Sequence, residues 1–138
     1  METGVDTSAL YYYVTDARTL RPSERQAAKR AAASIDLAYD SGKNLAIPST
    51  VVIELANILH HRNGARACQA VLEALLQDSR NALIPADESS FTEALILSRK
   101  LGVKYTDCVI YLTLKKAGAI RLITADKEFA AFKDLTLL

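Results

Sequence analysis

The chain has 138 residues, enough for one sizeable core and too few for two independent catalytic domains. Half of its residues are apolar, 24% are charged and the net charge is only +1, which excludes disordered and collagen-like chains. No apolar run reaches the roughly 20 residues that span a bilayer, and the opening METGVD lacks the basic and apolar regions of a secretory leader. The expectation is one cytoplasmic domain over residues 1–138 with no membrane role. Cys68 and Cys108 lie far apart with no Cys or His at metal-ligand spacing, and read as two small buried hydrophobes in a reducing compartment.

Residues 3 to 10, TGVDTSAL, set a short apolar segment against an Asp, which suits a first strand running into a turn and helix. Pro22 to Gln26 forms a helix-start signal, with Ser23 placed to cap and Gln26 to reach back. Ala27, Ala28, Ala31, Ile35 and Ala38 then recur at helical spacing until Ser41-Gly42, and so small a face implies close packing. Asn44 to Ile47 is a short apolar strand, and Ser49 offers a cap to a helix running to about His61. Asn63-Gly64 breaks the chain before a third helical pattern over Ala67 to Leu76. Ala82 to Pro85 reads as a strand, and Asp87 or Ser89 caps a helix that Gly102 ends. Thr106 caps the next helix, which Gly118 stops. Ala119 to Thr124 is a fourth strand, a short helix covers Asp126 to about Phe132, and Leu135 to Leu138 supplies a fifth strand. Short apolar strands alternating with amphipathic helices predict an α/β domain whose mainly parallel sheet is buried on both faces.

In such sheets ligands bind beyond the carboxyl ends of the strands, so acids at those positions matter. Asp6 ends the first strand, Glu54 lies in the first turns of the helix after the second, Asp107 starts the helix after Thr106, and Asp126 follows the fourth strand. Val51, Val52, Leu55, Ile58 and Leu59 mark the core side of their helix, and Glu54 falls at the edge of that stripe, where it can reach a cleft. Singly, each acid has an ordinary structural use as a turn residue, a cap or a solvated helix residue. Brought together, four carboxylates raise one another's pKa, and such a cluster persists only around something positive. Hard divalent cations prefer oxygen ligands and leave room for phosphate, so the pattern points to metal-assisted phosphoryl chemistry.

Setting those four acids aside leaves twelve against seventeen Lys and Arg, or +5 for the rest of the chain. Arg18, Arg21, Arg25, Lys29 and Arg30 crowd into thirteen residues with Glu24 as their one acid, and the first four are candidate contacts for a polyanion such as RNA. Tyr11, Tyr12 and Tyr13 suit either a base-stacking platform or a junction that turns a Tyr into the core. His60 and His61, beside Arg62 at a helix end, read as surface groups favoured by the C-terminal dipole. Ile53 lies opposite the core stripe of its helix and would expose an apolar side chain.

Four segments together, VDTSAL at 5 to 10, PSTVVIELANIL at 48 to 59, YTDCVIYLTLKKAGA at 105 to 119 and LITADKEF at 122 to 129, resemble the PIN-domain nucleases, and among them the compact VapC-type toxins of toxin–antitoxin pairs. The resemblance implies a three-layer α/β/α sandwich with a mainly parallel sheet of four to five strands. It implies that Asp6, Glu54, Asp107 and Asp126 surround Mg²⁺ or Mn²⁺, with Ser8 and Thr124 in support. It implies hydrolysis of RNA to 5′-phosphate and 3′-hydroxyl ends, with Asp6, Asp107 and Asp126 binding the ion and Glu54 holding or deprotonating the attacking water. A cognate antitoxin and a homodimer are partners of that family. The stretch from 11 to 45 is long for it. Two rival readings remain: a PIN-like binding module without activity, and a haloacid-dehalogenase-like phosphatase, which wants an Asp where position 8 has Ser.

Overall fold

A computed structural model describes residues 3–138, so Met1 and Glu2 of the segment read for a leader lie outside the described residues. The elements follow in the order β1 (Thr3–Val5), α1 (Thr7–Val14), a 3-10 turn (Ala17–Thr19), α2 (Pro22–Asp40), β2 (Leu45–Pro48), α3 (Ser49–Asn63), α4 (Ala65–Gln77), β3 (Asn81–Ile84), α5 (Glu88–Leu101), α6 (Tyr105–Lys116), β4 (Arg121–Ile123), a second 3-10 turn (Lys127–Ala131) and β5 (Thr136–Leu137). The five strands form one parallel sheet in the order β3-β2-β1-β4-β5. Side chains alternate between faces along a strand, and Leu45, Ala46 and Ile47 are all buried in succession, so helices cover both sides of the sheet. The expected α/β/α sandwich holds, with five strands. Among the described residues no helix is long and apolar enough to cross a membrane.

The strand order reverses at β1. From β1 the chain steps outward to β2 and β3, then returns through α5 and α6 to place β4 on the other side of β1. A crevice opens where neighbouring connections leave in opposite directions, beyond the carboxyl ends of β1 and β4.

Several helix starts differ from the sequence expectation. The second helix begins at Pro22, not after Ser23: proline needs no N–H bond in a first turn, and the Glu24 carboxylate accepts the Arg21 backbone N–H at 3.2 Å in place of the expected Gln26. Ser49 is the first residue of α3 rather than its cap, and its hydroxyl accepts the Ala86 N–H at 3.3 Å, tying α3 to the segment after β3. Thr106 lies inside α6, which starts at Tyr105. Asp87 does cap α5, through the Ser90 N–H at 2.8 Å. The helix expected from Asp126 is a 3-10 turn capped by Asp126, and the turn at Ala17–Thr19, built on Asp16, has no counterpart in the sequence expectation. Both cysteines are free and buried.

The helix that carries Asp107 is fixed at its middle and at its C-terminal end. Lys116 Nζ donates to Asp87 at 3.1 Å and to Ser89 at 2.8 Å, clamping the C-terminus of α6 to the start of α5. Tyr111 stacks on Phe132 with ring centroids 4.1 Å apart and donates its hydroxyl to Asp134 at 2.7 Å. Between these, Leu114 is fully buried over Gly4 of β1, and a Cβ at position 4 would lie 2.6 Å from Leu114 Cδ2. The close approach of α6 to β1 therefore requires glycine there. Gly4→Ala should destabilise the protein by about 1–3 kcal/mol, the usual cost of overpacking a filled core. Chemical denaturation should show most of that cost vanish when Gly4→Ala is made in a Leu114→Ala background.

Candidate metal centre

Asp6 follows β1 directly and is 3% exposed. Its carboxylate caps α1 by accepting the Ala9 N–H at 3.0 Å, and it also accepts the Ser8 hydroxyl at 2.9 Å. The Thr124 hydroxyl, at the end of β4, donates to Asp6 Oδ2 at 2.6 Å and in turn accepts the Asp126 N–H at 2.9 Å. Ser8 Oγ accepts the Ala125 N–H at 3.1 Å. Two hydroxyl groups thus latch the end of β1 to the end of β4, with Asp6 as their common acceptor. Burial pushes the Asp6 carboxyl up and the Asp126 charge adds to this, while the bonds from Thr124, Ala9 and Ser8 pull the other way.

Glu54 is half-buried in the second turn of α3, and its Oε1 accepts the Thr7 hydroxyl at 2.7 Å, so the first turn of α1 sets its direction. Asp107 lies in the first turn of α6 and is 8% exposed. Its Oδ2 is buried without any hydrogen-bond partner. Burial first, then the charges of Asp126, Asp6 and Glu54, push the Asp107 carboxyl up to about 7, and Lys104 opposes them. An orphaned buried carboxylate oxygen is costly, and one among other acids is doubly so. Asp126 caps its 3-10 turn by accepting the Glu128 N–H at 3.0 Å.

All four expected acids line one cleft of about 660 Å³ at the strand ends. Asp107, Asp126 and Glu128 can bring one oxygen each within 4.8 Å of one another. Glu128 escaped the sequence reading; its signal was the Asp126-x-Glu128 spacing at a capped turn. The donor set is all carboxylate and hydroxyl oxygen, which suits a hard divalent cation and not a soft one, and the stranded Asp107 oxygen supplies a position for it. Ser8 and Thr124 touch Asp6 directly.

The cationic residues are arranged otherwise than the sequence suggested. Arg18 and Arg21 are bound to Asp16 and Glu24 at 2.8 and 3.2 Å, Arg25 and Lys29 are exposed on α2, and none of these four lines the cleft. The cleft instead takes Arg62, His61 and Lys104, with Tyr11 and Tyr12 on its wall. Tyr12 and Tyr13 donate to Glu24 and Asp36 of α2 at 3.2 and 2.9 Å, so two of the three tyrosines anchor α1 to α2. Ile53 is 62% exposed, as its wheel position requires.

The raised Asp107 pKa has a consequence for stability. Between about pH 4 and 7 the folded protein keeps a proton that the unfolded chain has released, so the metal-free protein should lose stability as pH rises through that window. Asp107→Asn removes the titration. In chelator, its melting temperature should exceed that of the wild type by several degrees at about pH 8 and converge with it near pH 4.

A sequence model of the PIN domain matches residues 5–135. A search of curated protein sequences finds no match. Among solved structures, the chain is similar to Mycobacterium tuberculosis VapC20, described as a sarcin-ricin-loop-cleaving toxin, with a TM-score of 0.73 and 19% identity over 95% of each chain. It is similar to VapBC2 from Rickettsia felis, solved on a DNA fragment from its promoter, with a TM-score of 0.72 and 18% identity over 100% of this chain and 98% of that one. FitAcB from Neisseria gonorrhoeae follows with a TM-score of 0.67 and 17% identity over 99% and 96%. At these identities the structures speak for the fold, while the family match spans nearly the whole sequence: the chain belongs to the PIN-domain family.

Proposed function

We propose that this chain is a metal-dependent endoribonuclease, a single PIN-like nuclease domain acting as the toxin of a type II toxin–antitoxin pair. The observation that carries the reading is the stranded Asp107 oxygen among acids in the β1/β4 crevice, an arrangement that lowers stability unless a cation is bound. Membership of the PIN family and likeness to VapC20, a sarcin-ricin-loop-cleaving toxin, support the substrate class. Likeness to a toxin–antitoxin complex from Klebsiella pneumoniae, with a TM-score of 0.63 and 19% identity over 98% of this chain and 96% of that one, supports an antitoxin partner. Exposed apolar side chains, Ile53 and Leu37 among them, suit such a partner or a second copy in a homodimer. The cytoplasm is the compartment in which such a pair would meet its RNA.

Asp6, Asp107 and Asp126 would hold Mg²⁺ or Mn²⁺. Such an ion lowers the pKa of water and neutralises charge that builds on the phosphate in the transition state. Asp6, locked by Thr124, Ser8 and the Ala9 N–H, offers a fixed anion that cannot rotate away. Glu54, oriented by Thr7, takes the proton of the attacking water. The P–O3′ bond breaks and the departing O3′ takes a proton from solvent water, leaving a 5′-phosphate and a 3′-hydroxyl. Arg25 and Lys29, exposed on α2, would extend the cationic surface outside the cleft.

Purified protein incubated with end-labelled, mostly single-stranded RNA should cut it with Mn²⁺ or Mg²⁺ and not in chelator. Asp107→Asn should slow cleavage by about 10²-fold or more. Equal cutting by the variant and the wild type would remove Asp107 from the site. The same ions should raise the melting temperature of the wild type by mass action and leave Asp107→Asn nearly unmoved, which tests binding without reference to any RNA.

A further inference from the structure

The acidic cleft does not end at the carboxylates. A second groove of about 490 Å³ runs between the first turns of α2 and the start of the second 3-10 turn, and Asp126 lines both. Its cations are Arg30 and Lys127. The main cleft carries Arg62, from the last turn of α3, eight residues and about 12 Å along that helix from Glu54. The carboxylate cluster therefore has cations in both grooves, and the two grooves share one of its members, Asp126.

Arg62, Arg30 and Lys127 line the two grooves, where Arg18, Arg21, Arg25 and Lys29 do not. Among the described residues none of the three is in an ion pair, a property they share with Arg25, Lys29 and Lys104 and not with Arg18, Arg21, Arg80, Lys115 and Lys116. Arg62 is held in place without an acid: Nη1 donates to the Tyr11 hydroxyl at 3.0 Å, and the guanidinium lies 5.3 Å from the centre of that ring. Its charge is not neutralised, and its remaining N–H donors are left for an anion. Arg30 stands one turn beyond Gln26 on the α2 face that lines the second groove, and Lys127 follows Asp126 in sequence.

A polyanion crossing a cluster of carboxylates is repelled everywhere except at the phosphate being cut. Its neighbouring phosphates need cations of their own on each side. Resting on the ribonuclease reading above, we propose that the RNA strand crosses the carboxylate cluster from the Arg62 end to the Arg30 and Lys127 end, with a flanking phosphate held at each. Tyr11 is the positioning residue for Arg62.

The test measures binding of a labelled, unstructured oligouridylate RNA in the Asp107→Asn background, so that cleavage does not intervene. Arg62→Gln, and the pair Arg30→Gln with Lys127→Gln, should each weaken binding several-fold and flatten the slope of log K against log salt by about 0.7 for each phosphate no longer held. Arg62→Lys should keep the slope, and Arg99→Gln on α5 should change nothing. Trimming the RNA from one end should abolish the Arg62 effect, and trimming from the opposite end should abolish the effect of the Arg30 and Lys127 pair. An unchanged salt slope in both variants, or disappearance of both effects on trimming the same end, overturns the path while leaving the nuclease intact. A parent protein that binds no RNA overturns the ribonuclease reading together with the path.

Discussion

Everything at the strand ends depends on the junction of β1 and β4, held by Asp6. Its carboxylate caps α1, takes the Ser8 hydroxyl and takes the Thr124 hydroxyl from a residue 118 positions away. Those three bonds offset part of the cost of burying a charge and fix the separation of the two strands whose ends open the crevice. Thr124 then passes the restraint on, since its oxygen also holds the Asp126 backbone. A single buried acid thus positions two of the four carboxylates and starts the helix whose Thr7 orients a third.

The fourth, Asp107, is placed by packing rather than by hydrogen bonds. It rides on α6, clamped by Lys116 at its C-terminal end and by the stacked Tyr111 at its middle, and lowered onto β1 because position 4 has no side chain. Asp107 Oδ2 has no partner to satisfy it. The two kinds of control have different consequences. Asp6 is bonded into the scaffold and serves stability and site alike; Asp107 is held against its own desolvation and against Asp126, so the scaffold bears a cost that a proton or a bound cation relieves. Sites that must bind a cation strongly tend to store cost in this way, since satisfying every oxygen internally would leave nothing to coordinate.

Much of this was legible because the relevant signals are local. Strands and helices followed from periodicity, and the acids stood out because a parallel sheet brings the ends of its strands to one edge. What failed were the helix starts: Ser23, Ser49 and Thr106 are all good caps in isolation, and each lies inside its helix instead. Pro22 fits a first turn better than it fits a preceding loop. Ser49 was claimed by Ala86, 37 residues on, a bond that no window around residue 49 contains. Glu128 and the cationic walls were missed for a related reason. A run of basic residues is conspicuous in sequence, yet Arg18 and Arg21 turn to nearby acids, while Arg62 and Lys104, 42 positions apart in sequence, line the same cleft.

The long segment from α1 through α2 now has a structural role. Ala28 and Ala31 are buried, and their small side chains let α2 lie close, while Tyr12 and Tyr13 bridge α1 to Glu24 and Asp36. Seated there, α2 forms one wall of the groove that begins at Asp126, and its first turns bring Gln26 and Arg30 beside the 3-10 turn. A shorter or bulkier helix would leave Asp126 at an open edge. The alanine stripe, read from the sequence only as a sign of tight packing, thereby helps to shape a groove on the side of the carboxylates away from Arg62.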